Sequence, residues 1–375
     1  MRIVRSDRHE EPSSAPVFER LESVRYLAER FPLARLREVT LLRASDLDAR
    51  ADASGQTHVW LALESMQVTG SFKVRGALAA LAARAANRGS PAGHVVTASA
   101  GNHGAGVANA AHVLGVRATI VMPRGVPETK RKRVEAYGAE VVLAASDHYD
   151  DAEAAGMDLA QARGCPFLSP YDDVDVVAGN GGSLGFEIVR ALGRLPRVVL
   201  APFGGGGLST GLAWALARES QRASAGARRA PVWGVQSEAS PVMALSLERR
   251  EAVVRFAPAG ETLAEGLEGG IAPAAFARAR AAIAGVAVVS EEDIARAMVY
   301  AYREMGLVVE GSAATALAPL LQASPLPADF AADAPDARSH EPRDLVVVLT
   351  GRNVDRSRLE RVLGMPPANA GGGAA

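Results

Sequence analysis

The chain is short of several things that would direct a reading elsewhere. Its 375 residues include one cysteine, Cys165. No internal disulfide can form, and a reducing cytoplasm is the expected compartment. The net charge of -1 gives no reason to expect nucleic acid or an anionic membrane as partner. No apolar stretch is long and clean enough for a membrane span. Residues 1–16 are polar and charged and lack the apolar region of a secretory signal. The histidines show no metal-ligand spacing with acids or with Cys165, so no metal site is expected. Internal repeats and a low-complexity core segment are also missing. What is present is 48% apolar residues, enough for one large domain or two moderate ones.

Strand and helix signals alternate through the middle of the chain. Residues 95–97, 117–122, 141–143, 198–202 and 345–349 read as strands, the last fully apolar. Residues 105–114, 127–137 and about 209–218 read as helices, the second with Pro127 early and Gly138 just after its end. This alternation predicts parallel sheets in an α/β fold, and continuous apolar strands predict sheets covered on both faces. Residues 1–16 read as a disordered arm and 362–375 as a flexible tail. Residues 323–343, rich in Pro, Ala and Asp, read as a surface loop.

Lys73 is the most informative residue. It sits between Phe72 and Val74, just after Thr69-Gly70-Ser71. A lysine in apolar surroundings is desolvated, which lowers its pKa. The neutral amine is then a nucleophile that forms imines with carbonyl compounds. The run Gly204-Gly205-Gly206-Gly207, followed by Leu208 and a helix, suits an anion such as a phosphate. It has neither the Gly-Lys-Ser/Thr of a P-loop nor the third glycine of a dinucleotide fingerprint. Ser99-Ala100-Gly101-Asn102-His103 lies at another strand-to-helix turn, where converging amides suit a carboxylate or a ring oxygen. His103 there is either catalytic or structural, and histidines at helix starts are more often structural. Thr350 ends the last strand, where ligands of open α/β sheets gather; a capping or turn threonine is the plain alternative. Residues 179–185, Gly-Asn-Gly-Gly-Ser-Leu-Gly, read equally as a turn or a carbonyl cation site. Lys130-Arg131-Lys132-Arg133 reads as a solvated helix face. Glu310, at the edge of an apolar run, is a buried partner to a cofactor or a helix cap.

Amine, phosphate cradle, ring-oxygen donor and ring-nitrogen partner are the parts a pyridoxal phosphate site needs. Their order resembles the fold type II, tryptophan-synthase-like pyridoxal phosphate enzymes, and within them the serine/threonine dehydratases. The motifs that carry the likeness are Ser71-Phe72-Lys73-Val74-Arg75-Gly76-Ala77, Ser99 to His103, the tetraglycine and Thr350-Gly351-Arg352-Asn353, and the likeness extends over about residues 33–361. It implies two parallel-sheet α/β domains with the cofactor in the cleft between them. The large one would comprise 17–93 plus 172–361, and the small one, 94–171, would be inserted into it.

The resemblance also implies residue roles. Lys73 would hold the cofactor as a Schiff base and then take the substrate Cα proton. Phe72 would pack beside the ring, Asn102 would donate to the ring hydroxyl oxygen, and Thr350 would face the ring nitrogen. Gly204 to Gly207 and Leu208 would bind the phosphate, with Glu310 grouped among the cofactor contacts. Ser99 and the amides of Ala100, Gly101, Asn102 and His103 would hold the substrate carboxylate. A neutral threonine cannot keep the ring nitrogen protonated, so the ring is a weaker electron sink and prompt loss of a β-hydroxyl is favoured. The implied reaction converts L-threonine or L-serine to a 2-oxo acid and ammonia. Threonine synthesis or β-replacement is the alternative. Racemisation is disfavoured because Ala100 stands where racemases carry a second acid/base serine. Gln236 and Val242 look unsuited to the divalent site of those enzymes. A nucleotide-binding regulator using the tetraglycine is the reading from another class. A homodimer or higher homo-oligomer is expected, and with only a short tail after Arg361 no regulatory domain is.

Overall fold

The computed structural model describes residues 1–6, 15–52, 56–86, 93–223, 230–258, 260–323, 326–327, 330 and 343–364. Ten strands form among them: β1 (Arg2–Arg5), β2 (Leu41–Arg43), β3 (Thr57–Leu63), β4 (His94–Ala98), β5 (Arg117–Met122), β6 (Glu140–Leu143), β7 (Val198–Pro202), β8 (Val232–Ser237), β9 (Gly285–Val289) and β10 (Arg343–Leu349). They make two sheets. One has the order β1-β9-β8-β7-β10-β3-β2 and the other β4-β5-β6. The smaller sheet is wholly parallel. The larger is parallel from β9 to β3 and antiparallel at both edges. The α/β class expected from the alternating signals is therefore the class observed.

The apolar strands of the larger sheet are apolar because both faces are covered. Successive side chains of a strand point to opposite faces. Leu345, Val347 and Leu349 of β10 join one core cluster, and Val346 and Val348 join another. β7 divides in the same way, Val198 and Leu200 to the first cluster and Val199 and Ala201 to the second. Around the small sheet, Val96 and Val121 pack with Ala152 and Ala160 of the helix Tyr149–Ala162.

Three sequence expectations need correction. The arm is not wholly without structure: Arg2–Arg5 pairs antiparallel with Gly285–Val288. A composition average over sixteen residues hides a four-residue edge strand. Residues 7–14 of that arm lie outside the described residues. The tail begins later than residue 362, because Val362 is buried within the helix Arg356–Leu363; residues 365–375 lie outside the described set. Most of the 323–343 loop lies outside it too. Phe330 within that stretch is buried, with its ring edge-on to Trp233 at 5.2 Å between centroids.

Candidate active site

The strand order brings together what the chain keeps apart. β10 lies between β7 and β3, and all three run parallel. The segments after their carboxyl ends are the tetraglycine loop, Thr350, and the turn that leads to the helix Lys73–Ala86. Residues Ser71 and Gly351 form an isolated β-bridge, and the Phe72 amide donates to the Thr350 carbonyl at 3.0 Å. From the other side, β4 delivers Ser99 to Gly101 and the helix Asn102–Leu114. That helix meets the Lys73 helix through Gly106, where an added Cβ would lie 2.9 Å from the Lys73 carbonyl.

Between these ends lies a cleft of about 1160 Å³. Phe72, Lys73, Ser99, Ala100, Gly101, Asn102, His103, Gly204 to Leu208, Glu310 and Thr350 all line it. Lys73 Nζ donates to the Pro170 carbonyl at 3.3 Å and lies 5.2 Å from the centre of the Phe72 ring. Part of Lys73 stays open to the cleft, yet enough protein surrounds it for desolvation to lower its pKa to about 8, against the opposing pull of Glu310. A substantial fraction of the cofactor-free amine is thus unprotonated and nucleophilic near that pH.

Of the two sequence alternatives for Glu310, the side-chain helix cap is not formed: its side chain makes no capping bond to the short helix that follows. Instead Asn102 Nδ2 donates to Glu310 Oε1 at 2.8 Å. Burial pushes the Glu310 pKa up to about 7, with the Asn102 and Asn353 hydrogen bonds holding it lower than burial alone would. His103 is 4% exposed, and neither ring nitrogen makes a hydrogen bond of normal geometry to the described residues. Burial, then the nearby Lys73 charge, lowers its pKa to about 3, so the ring is neutral. Ser99 Oγ accepts from the Gly101 amide at 3.0 Å, which tightens the turn at the helix start.

The tetraglycine loop is shaped by contacts that side chains would block. A Cβ on Gly205 would lie 2.7 Å from Tyr171, and one on Gly206 would lie 2.9 Å from the Phe203 ring. Gly206 also has φ +85°, a conformation that favours glycine. The fourth glycine begins the helix Gly207–Ala223, so the helix starts two residues earlier than the sequence pattern predicts. Its first-turn amides have no partner one turn back.

Some residues in or near the cleft were not singled out by sequence, and others were read there in a different role. Pro170 and Tyr171 carry no signal beyond a turn proline. Lys130 belongs to a basic run that reads as a solvated face, but it pairs across the cleft with Glu265 at 3.0 Å. Asn180, also in the cleft wall, accepts from the Gly76 amide at 2.9 Å and so caps the Lys73 helix. Gln236 is fully buried; its amide spans the Phe203 carbonyl and the Ala244 amide. Among the described residues no group of three or more His, Cys, Asp or Glu is placed to hold a metal ion, and no helix is long and apolar enough to cross a membrane.

The profile of one family, described as "Pyridoxal-phosphate dependent enzyme", matches residues 36–351. The chain belongs to the pyridoxal-phosphate-dependent enzymes. A relative from Geobacter sulfurreducens named L-threonine ammonia-lyase is 38% identical over 266 residues, 70% of this chain and 62% of that protein. The match therefore spans less than two thirds of that relative's length. The catabolic L-threonine dehydratase of Escherichia coli is 33% identical over 83% of this chain and 87% of its own. Among solved structures, the processed form of threonine deaminase isoform 2 from Solanum lycopersicum superposes with a TM-score of 0.79 at 27% identity, covering 96% of this chain and 91% of that one. Family membership displaces the nucleotide-binding regulator as a reading of the tetraglycine. The residues present also fit the family's cofactor on their own chemistry. An amine with a lowered pKa suits its aldehyde, and an uncovered backbone cradle suits its phosphate.

Proposed function

We propose that this chain is an ammonia-lyase that converts L-threonine, L-serine or both to a 2-oxo acid and ammonia. The observation that carries the reading is Lys73, an amine with its pKa lowered to about 8 in a cleft that also holds the tetraglycine loop and the Asn102 helix. Lys73 would hold pyridoxal phosphate covalently, Gly204 to Leu208 would hold its phosphate, and Asn102 and Thr350 would meet its ring, with Phe72 beside it. When bound, the cofactor withdraws electrons from the substrate Cα and makes its proton removable.

The chain's own groups account for the remaining steps. Ser99 and the amides of Ala100 to His103, at a helix N-terminus, bind and orient the substrate carboxylate. Lys73 Nζ takes the Cα proton. The β-hydroxyl leaves with a proton as water, and hydrolysis of the resulting enamine consumes a water and releases ammonia and the 2-oxo acid. Ala100 has no group that can hold a proton, which argues against racemisation. The likeness to relatives named for threonine ammonia-lyase and dehydratase activity supports threonine as a substrate. We further infer a large domain of 17–93 plus 172–361, a small one of 94–171, a cytoplasmic location and a homo-oligomeric assembly.

The test is oxo acid release from threonine and serine, and phosphate release from phosphohomoserine, by the holoenzyme, with Lys73→Ala alongside. Release from threonine or serine that Lys73→Ala abolishes is expected. Turnover of phosphohomoserine alone would move the assignment to threonine synthesis. A colourless protein under saturating pyridoxal phosphate would remove the reading altogether.

A further inference from the structure

The segment after β10 supplies a residue whose side chain decides how another presents itself to the cleft. Asn353 Nδ2 donates to Asn102 Oδ1 at 2.6 Å and to the Thr69 carbonyl at 3.0 Å. On its other side, Asn102 gives Nδ2 to Glu310 Oε1 at 2.8 Å. The Asn353 backbone also hydrogen-bonds the Glu310 carboxyl. Asn353 therefore touches both Asn102 and Glu310 from one position.

A side-chain amide has two orientations of nearly equal shape, and its hydrogen-bond partners choose between them. Here the choice propagates from the backbone. The Thr69 carbonyl can only accept, so it fixes the NH2 end of Asn353 toward itself. That same NH2 end faces Asn102, which must answer with its oxygen. Asn102 then turns its nitrogen toward Glu310, a carboxyl that accepts it. Of the two N–H bonds on that nitrogen, one goes to Glu310 and one is left for a ligand. Gly70 makes room for this arrangement. It has φ +76°, and a Cβ there would lie 2.4 Å from Asn353 Oδ1.

We propose that Asn353 is a positioning residue that sets the amide orientation of Asn102, so that its one unspent N–H is offered to the ring oxygen of pyridoxal phosphate. This rests on the reading above, in which Asn102 meets that oxygen. Asn353→Asp keeps the shape but replaces the donor with an acceptor. Asn102 then gives its NH2 end to the new carboxylate, and the ring oxygen loses its donor.

The experiment titrates the cofactor-free full chain calorimetrically with pyridoxal phosphate and with 3-deoxypyridoxal phosphate, which lacks the ring oxygen. The wild-type protein should prefer pyridoxal phosphate by about tenfold, the scale of one hydrogen bond to a charged oxygen. Asn353→Asp should bring that preference close to one. Asn353→Ala, which removes the donor without adding charge, should reduce it in part and serves if the first variant does not fold. A merely structural loss would weaken both ligands equally and leave the preference intact. An intact preference in a folded variant overturns the proposal, as does a wild-type preference near one. If the wild-type chain binds neither ligand, it is the pyridoxal phosphate reading of the site that fails.

Discussion

At the residue scale, the site is governed by two ionisable groups whose surroundings push their pKa values toward each other. Lys73 is lowered to about 8 from 10.5, by burial. Glu310 is raised to about 7 from 4.5, also by burial. Each shift has a consequence for the cofactor-free protein. The folded state keeps the Glu310 proton up to about pH 7 while the unfolded chain releases it near 4.5. The folded state thus binds more protons in that window, and the contribution of Glu310 to stability falls as pH rises through it. Lys73 acts in the other direction: the folded state releases its proton near pH 8, and its contribution to stability rises from there to about 10.5. Urea unfolding of Glu310→Gln against wild type should show the variant gaining relative stability between pH 4.5 and 7, and a flat difference would contradict the buried carboxyl. The rate of imine formation with pyridoxal phosphate should rise through about pH 8. In Glu310→Gln that midpoint should move down, because the lost negative charge no longer favours the protonated amine. Lys73 was legible in the sequence because its apolar neighbours adjoin it. Glu310 was legible only as a choice between two roles, since its partner Asn102 lies 208 positions away.

At the element scale, two glycine-rich segments behave differently from what their composition suggests. The tetraglycine is a loop that becomes helix at its last residue. Gly206→Ala would put a side chain at positive φ and 2.9 Å from Phe203. Such strain costs about 1–3 kcal/mol. The strain is there with or without a ligand, so this variant should lose about that much stability in urea unfolding of the cofactor-free chain; unchanged stability would contradict the tight, positive-φ loop. The other segment, around Gly179, is helical and not a plain turn. Ala178–Gly182 is a π-helical turn that runs into the helix Ser183–Leu192. Wide turns of this kind are frequent at functional sites. A Cβ on Gly179 would lie 2.7 Å from the Arg75 carbonyl, and one on Gly181 would lie 2.1 Å from the Leu208 carbonyl. The turn is therefore wedged between the helix that carries Lys73 and the helix that starts at the tetraglycine. Glycines read from sequence alone suggest freedom; here they serve close packing.

At the scale of the whole molecule, one fully buried charge cluster holds the Lys73 helix against its surroundings. Arg75 donates to both oxygens of Glu64 at 2.7 and 2.9 Å and to both of Glu187 at 2.8 and 2.7 Å. It also reaches the Arg37 carbonyl at 3.1 Å, while Glu187 accepts from the Val39 amide at 2.8 Å. Four segments of the chain meet at one guanidinium, whose pKa is driven up by the two carboxylates. Removing one member of a buried ionic cluster strands the others, at a cost of about 3–5 kcal/mol. Arg75→Met should lose that much in urea unfolding. Adding Glu64→Gln and Glu187→Gln should recover part of it, and no recovery would mean that the loss is one of packing. By itself the sequence determined the α/β class, the strands β4, β7 and β10 that end at the cleft, and the amine, the glycine loop and the turns that fill those ends; β3, which leads to Lys73, was not legible there. The legible features are written in neighbouring residues, as apolar runs, glycine runs and caps. Only the tertiary structure decided that β10 lies between β7 and β3, that Arg75 finds two carboxylates, and that Asn353 meets Asn102 251 positions away. Contacts of that kind depend on strand order and on which helix faces which, and no local period in a chain records either.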